Sequence, residues 1–330
     1  MSMLTQRYET GDTMGEVERK LPAPGSVSEQ AQRYLTAPSQ YGGEPEPTDL
    51  ADTEAWLRYI ESRDAVIVSA LAGMTAAMPL QRDQFEIDGV TTYVLRPDHV
   101  PDADETPIYL EIHGGGLILG GGEACIAMST MTSLGRNMIT WSVDYRMPPL
   151  HPYPAALDDC MAVYRKALAT RPPEDLFVGG GSAGGNLAAA LLLRAKDEGL
   201  PMPAGLVLAT PEIDLTESGD TFQTLLGIDN VLTGSLMNAN RLYAGDHDLA
   251  DPYLSPLFGD LTGFPPTLLQ SGTRDLFLSN TVRMHRKLRA AGVDAELHVF
   301  EAMPHGGFAG APEDIELAME ISGFLERHRR

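Results

Sequence analysis

Ser182 stands in Gly180-Gly181-Ser182-Ala183-Gly184-Gly185, the stretch of the chain best suited to nucleophilic chemistry. It follows the apolar run Leu176-Phe177-Val178 and precedes Asn186-Leu187-Ala188-Ala189-Ala190-Leu191-Leu192-Leu193, a segment rich in helix formers. Strand, tight turn and helix with a serine at the apex make a nucleophile elbow. The residues two before and two after the serine must then be small, so that strand and helix can approach each other. The hydroxyl projects into the open, and the helix N-terminus faces whatever negative charge develops there. With 33 glycines in the chain, Gly-x-Ser-x-Gly can arise by chance. Its flanking elements give it meaning.

A second glycine run supplies the complement. Ile108-Tyr109-Leu110-Glu111-Ile112 reads as a strand and leads directly into His113-Gly114-Gly115-Gly116. Three glycines in a row leave backbone N–H groups unshielded, able to meet the oxygen of a tetrahedral intermediate. Removal of one such donor costs about two to three orders of magnitude in rate. A phosphate cradle would need Gly-Lys-Ser/Thr, or Gly-x-Gly-x-x-Gly with an acidic residue at the expected distance, and neither occurs. A Gly115→Val side chain is expected to crowd the oxyanion position.

A serine nucleophile needs a base, and the base an orienting acid. Of the eight histidines, His113 belongs to the glycine loop and His151 to a proline-rich turn. His99, His247, His285 and His328 lie in polar stretches, and His298 lies inside a strand. His305, in Met303-Pro304-His305-Gly306-Gly307-Phe308, follows the last strand. That places it at the edge where Ser182 lies. Asp275, in Gly272-Thr273-Arg274-Asp275, also follows a strand, and the order Ser, Asp, His suits the elbow. Asp214 is the fallback acid, and Asp144 is read as a partner of Arg146.

These residues require a scaffold of alternating strands and helices. Strands are expected at 84–87, 90–96, 107–112, 137–143, 176–180, 205–209, 267–271 and 295–300. The first two are joined by Asp88-Gly89, a hairpin signal. Helices are expected at 155–169, 182–198, 280–291 and 312–327. The pattern predicts an α/β fold: a mostly parallel eight-stranded sheet, helices on both faces, and the site beyond the carboxyl ends of the strands. Residues 1–48, rich in Pro, Gly, Glu and Ser, are expected to be an irregular arm or the start of a cap whose loss the fold tolerates. Residues 49–80 are expected to be cap helices, with Trp56, Ile60, Ile67, Leu71 and Met74 on one face. The catalytic domain then spans 81–330. Its alternation breaks between Asp214 and Gly263, an insertion expected to join the cap.

Composition narrows the partners. With 24 basic against 46 acidic residues, the net charge of −22 argues against nucleic acid or an anionic membrane surface. No apolar run approaches the length of a membrane span, and the first residues lack a signal pattern. Cys125 and Cys160 are expected to be reduced and buried, so a cytoplasmic location is expected. No cofactor or metal is expected. A small-molecule ester is the expected partner, and a homodimer is compatible with the sequence.

From about residue 53 onward the chain resembles the hormone-sensitive-lipase-like bacterial carboxylesterases of the α/β-hydrolase superfamily. The likeness is carried by His113–Gly116, Asp144-Tyr145-Arg146, Pro152-Tyr153-Pro154-Ala155-Ala156, Ser182–Leu187, Asp214-Leu215-Thr216, Asp275 and His305. The resemblance implies oxyanion donors at the N–H groups of Gly115, Gly116 and Ala183, and an N-terminal segment within the cap. Three positions depart from the family pattern. Gly181 replaces an acidic residue, Pro148-Pro149-Leu150-His151 replaces Ala-Pro-Glu-His, and no second acid follows Asp275. The expected activity is a cofactor-free serine carboxylesterase for short- to medium-chain esters, with Ser182, Asp275 and His305 catalytic. Lactone, amide or carbamate cleavage by the same residues is the alternative within hydrolases. A non-catalytic ligand-binding protein on the same fold is the alternative outside them.

Overall fold

A computed structural model describes residues 3–10, 13–37 and 45–329, with side chains from residue 21 onward. Of the two expectations for residues 1–48, an irregular arm or the start of a cap, an irregular arm does not fit the described residues. Strands β1 (Met3–Thr10) and β2 (Thr13–Lys20) form an antiparallel hairpin, followed by helix α1 (Glu29–Thr36). Ser28 caps α1 by accepting from the Ala31 N–H. The same residue ties the helix to a distant part of the chain: its N–H and hydroxyl donate to the Glu313 carboxylate at 2.6 and 2.8 Å. Val27 and Ala31 are buried against Ala302, Met303, Phe308 and Ala311, the residues that bracket His305. Composition had pointed the other way because the helix is short and polar on average, although Ala31, Tyr34 and Leu35 form one apolar face at helical spacing.

Helix α2 (Thr53–Thr75) follows, then the expected hairpin of β3 (Leu80–Ile87) and β4 (Val90–Pro97). Its turn puts Asp88 and Gly89 both at positive φ (51° and 82°), the backbone an Asp-Gly pair favours. Beyond it run β5 (Ile108–Ile112), α3 (Glu123–Ser133), β6 (Ile139–Asp144), α4 (Ala155–Thr170), β7 (Leu176–Gly181), α5 (Ala183–Asp197) and β8 (Gly205–Ala209). The insertion contributes α6 (Thr221–Thr224) and α7 (Met237–Ala244). The chain then closes with β9 (Thr267–Gly272), α8 (Leu278–Ala290), β10 (Ala295–Phe300) and α9 (Pro312–His328).

Eight of these strands form one sheet in the order β10-β9-β8-β7-β5-β6-β4-β3. Strand β4 pairs antiparallel with β3 and β6, and the remaining pairings are parallel. Alternate residues serve opposite faces. Leu110, Val178, Leu206 and Leu269 join the cluster beneath α4, α5 and α8, whereas Tyr109, Phe177, Val207 and Leu268 pack with Phe324 and Leu325 of α9. Both faces are covered, as a parallel sheet requires. Among the described residues no helix is long and apolar enough to cross a membrane.

Ala31 is fully buried, so Ala31→Glu is expected to destabilise the protein by about 2–4 kcal/mol through burial of an unpaired charge. The chemical-denaturation midpoint reads it. An unchanged midpoint would mean that α1 is a dispensable arm after all.

Candidate active site

The turn between β7 and α5 places Ser182 with φ 57° and ψ −124°, a backbone conformation rare for a residue bearing a side chain. It is held there by the N–H of Ser182 donating to the Ala209 carbonyl (2.9 Å) and by the N–H groups of Gly185 and Glu212 donating to its own carbonyl (both 3.0 Å). The small residues around it are a packing necessity. A Cβ at Gly180 or Gly184 would collide with the Ile112 carbonyl at the end of β5, backbone against backbone. Gly181 is different: a Cβ there would lie 3.6 Å from the nearest atom, the Ala209 oxygen, so packing does not dictate a glycine where the family carries an acid.

The glycine loop lies against this elbow. A Cβ built on Gly114 would come within 3.3 Å of Ser182 Cβ. His113 is structural, as expected: its ring stacks on Tyr145 (centroids 4.0 Å apart, planes 9°) and its Nδ1 donates to the Gly114 carbonyl. Burial drives its pKa down to about 4, so it is neutral. Among the described residues, the N–H groups of Gly115, Gly116 and Ala183 have no acceptor on the chain. The loop is fixed at its far end by two carboxylates. Asp64 of α2 accepts from the Gly120 N–H (2.8 Å) and Asp144 from the Gly122 N–H (3.0 Å). A side chain at Gly115 would strike the Leu119 carbonyl from a φ of 126°, so Gly115→Val deforms the loop itself and does not simply crowd a bound oxyanion. A Cβ built on Gly116 would meet Leu236 of the insertion at 3.7 Å, so that side chain lies over the loop.

Asp275 and His305 meet at the same edge of the sheet. The His305 Nδ1–H donates to Asp275 Oδ1 at 3.0 Å, leaving Nε2 as the ring's proton acceptor. Asp275 is fully buried and accepts from the Ser271 hydroxyl at 2.5 Å and from the Phe277 N–H at 3.0 Å. The Phe277 ring abuts the imidazole edge-to-face, with centroids 5.0 Å apart. Burial alone would lower the His305 pKa. The hydrogen bond and charge of Asp275, helped by Asp229 and Glu212, outweigh it and hold the value above the ordinary histidine range. Among the described residues no hydrogen bond links the Ser182 hydroxyl to His305. Such contacts commonly tighten only when substrate is bound.

The other acids are accounted for. Asp214 is fully buried, but it binds Arg283 (2.7 Å), Thr216 and Ser218, and does not approach a histidine. Asp144 is not the partner of Arg146. Arg146 forks onto Asp159, and Asp144 instead accepts from the Tyr93 hydroxyl and from the glycine loop. Two acids went unread in the sequence. Glu212, just after β8, is buried with its N–H on the Ser182 carbonyl, and burial pushes its carboxyl up to about 8. Asp229, in the loop before α7, accepts from the N–H groups of Leu276 and His305. An acid between Pro211 and Ile213 after a buried strand was a faint signal for the first. Nothing local marked the second.

A family model described as the alpha/beta hydrolase fold matches residues 109–309. The chain belongs to the α/β-hydrolase family. It is 35% identical over 204 residues to an esterase of Acinetobacter venetianus, covering 61% of this chain and 67% of that one. Esterase LipI of Mycobacterium tuberculosis is 32% identical over 238 residues, covering 68% and 74%. Among solved structures, esterase E25 superposes with a TM-score of 0.87 at 35% identity, covering 98% of this chain and 99% of that one. An esterase of the bacterial hormone-sensitive lipase family superposes with 0.81 at 28% identity, covering 92% and 99%. The hormone-sensitive-lipase resemblance and the hydrolase fold expected from the sequence are both borne out.

A base must be neutral to accept a proton, and the charges around His305 raise its pKa. The acid limb of kcat/KM is therefore expected to fall above the unperturbed histidine value of about 6.5, with activity lost below it. A pH–rate profile checks this. A limb well below 6 would show that His305 is not the titrating base.

Proposed function

We propose that this α/β hydrolase is a carboxylic ester hydrolase acting through an acyl-enzyme on Ser182, with His305 as general base and acid and Asp275 as the orienting carboxylate. The observation that carries the reading is the buried His305–Asp275 pair, which leaves one imidazole nitrogen free at the edge where the strained elbow presents Ser182. His305 Nε2 takes the serine proton as Oγ attacks the ester carbonyl, then gives it to the departing alcohol. Water deacylates the enzyme by the reverse route. Asp275 keeps the proton on Nδ1 and stabilises the imidazolium. The oxyanion is met by the N–H groups of Gly115, Gly116 and Ala183, the last at the positive end of α5.

A cap completes the reading. Trp56 of α2 is buried with Ile118, Ala239 and Leu242, so it joins the N-terminal helix, the glycine loop and α7. Phe222, Leu225, Leu232 and Leu236 of the insertion pack with Leu276 and Phe277, beside the acid. These side chains make an apolar roof suited to short or medium acyl chains. The esterase names of the relatives support ester chemistry, and the presence of all three catalytic residues speaks against a purely ligand-binding role.

Ser182→Ala is expected to lower kcat on a short-chain ester on the order of a million-fold and to abolish labelling of the intact protein by a fluorophosphonate. Retention of a tenth of the activity would remove the serine from this role. Asp275→Asn should cost roughly several hundredfold or more in kcat, whereas Asp214→Asn should act on stability and spare the pH profile. The reverse pattern would assign the acid to Asp214.

A further inference from the structure

Asp229 reaches into the site from the loop between α6 and α7 and is 1% exposed. Its two oxygens do different work. Oδ1 accepts from Val231 and Leu232, at 2.9 and 3.2 Å, and so shapes its own loop. Oδ2 accepts from the N–H of Leu276 at 2.9 Å and from the N–H of His305 at 3.3 Å. Leu276 directly follows Asp275. One carboxylate thus grips the backbone of the acid's loop just after Asp275 and the backbone of the base itself. It lies closer to the reacting side chains than other ties between these segments, such as the Arg274 N–H on the Met303 carbonyl (3.1 Å) and the Ala302 N–H on the Thr273 hydroxyl (2.7 Å). A carboxylate oxygen of Asp229, one of Asp275 and a ring nitrogen of His305 all lie within 4.8 Å of one another.

We propose that Asp229 is a positioning residue: the insertion supplies it to lock the acid and base loops in register and to keep a second negative charge beside the imidazolium. The four N–H donors suit an ionised carboxylate, although burial pushes its pKa upward. His305 faces three acids in all, Asp275 after β9, Asp229 from the insertion and Glu212 after β8. Glu212 in turn faces Glu217 and Glu46. Of the acids around His305, Asp229 is the one that also holds its backbone. The insertion therefore does more than roof the cleft. It sets the geometry of catalysis from the side opposite the sheet.

The proposal rests on the triad reading and is tested in a protein whose Ser182→Ala variant is inactive. If that variant keeps its activity, the triad reading fails first and on its own. Asp229→Asn preserves shape but replaces one acceptor oxygen by a donor and removes the charge. It is expected to lower kcat about a hundredfold with KM little changed, because a small misplacement of a catalytic group is costly. Loss of a neighbouring negative charge lowers a histidine pKa, so the acid limb of kcat/KM should also move down by about one unit. A purely structural role would leave that limb in place. Asp229→Glu keeps the charge and displaces the carboxylate: kcat should fall while the limb stays, and this variant carries the test if Asp229→Asn does not fold. Circular dichroism confirms folding of each. An unmoved limb in Asp229→Asn, or wild-type kcat in Asp229→Glu, would overturn the proposal.

Discussion

The site depends on one close approach of bare backbone. The end of β5, the end of β7 and the first turn of α5 converge where Gly180 and Gly184 lie against the Ile112 carbonyl, with no room for a Cβ on either glycine. Because Ile112 runs straight into the glycine loop, this contact sets two things at once. It forces Ser182 into its strained apex, and it brings the loop to the serine. Packing stiffness in a close-packed interior makes the strain tolerable, since the surrounding sheet overdetermines the turn.

On this fixed platform the remaining groups arrive from separate strands. Asp275 follows β9 and His305 follows β10, so their meeting depends on parallel register between two neighbouring strands near one edge of the sheet. Register alone brings loops near each other without aligning side chains. The alignment comes from contacts buried in a low dielectric: the hydrogen bonds of Ser271 on Asp275 and of Asp229 across both loops, and the Phe277 ring packed edge-to-face against the imidazole. Such contacts are strong when all are satisfied and costly when one is missing, which ties the chemistry to the integrity of the whole edge.

Much of this was legible in the sequence, for physical reasons. Strands β5, β7, β8 and β9 are short, mostly apolar runs with glycine or proline at or near their ends, and the three catalytic candidates follow β7, β9 and β10. Helix α3 was missed because it is small and mixed, with Ala124, Cys125, Ser129, Thr130 and Ser133 all buried, so no apolar stripe reveals it. The stripe assigned to α2 was clearer in the sequence than in the structure, where Trp56 is fully buried but Met74 is exposed. Helix α1 carries local signals, the Ser28 cap and the Ala31, Tyr34 and Leu35 face, but they sit in a Pro-, Gly-, Glu- and Ser-rich stretch, and its anchor, Glu313, is remote in sequence. Asp229 and Glu212 share that limitation. Their roles come from what the fold places beside them; Glu212 had only the faint local signal of an acid after a buried strand, and Asp229 had none.

The link between Ser28 and Glu313 spans 285 positions, and it fastens α1 beside the segment that bears His305. Contacts of such long sequence separation form late, since the entropy of closing the intervening chain must be met first. As the polypeptide emerges during synthesis, the elbow and the glycine loop can therefore assemble well before His305, the base in the proposed mechanism, is in place. On the proposed mechanism a partly made chain would present Ser182 without the His305 that draws off its proton. On that mechanism, competence for chemistry waits on the docking of the C-terminal segment, and turnover reports that this segment is in place.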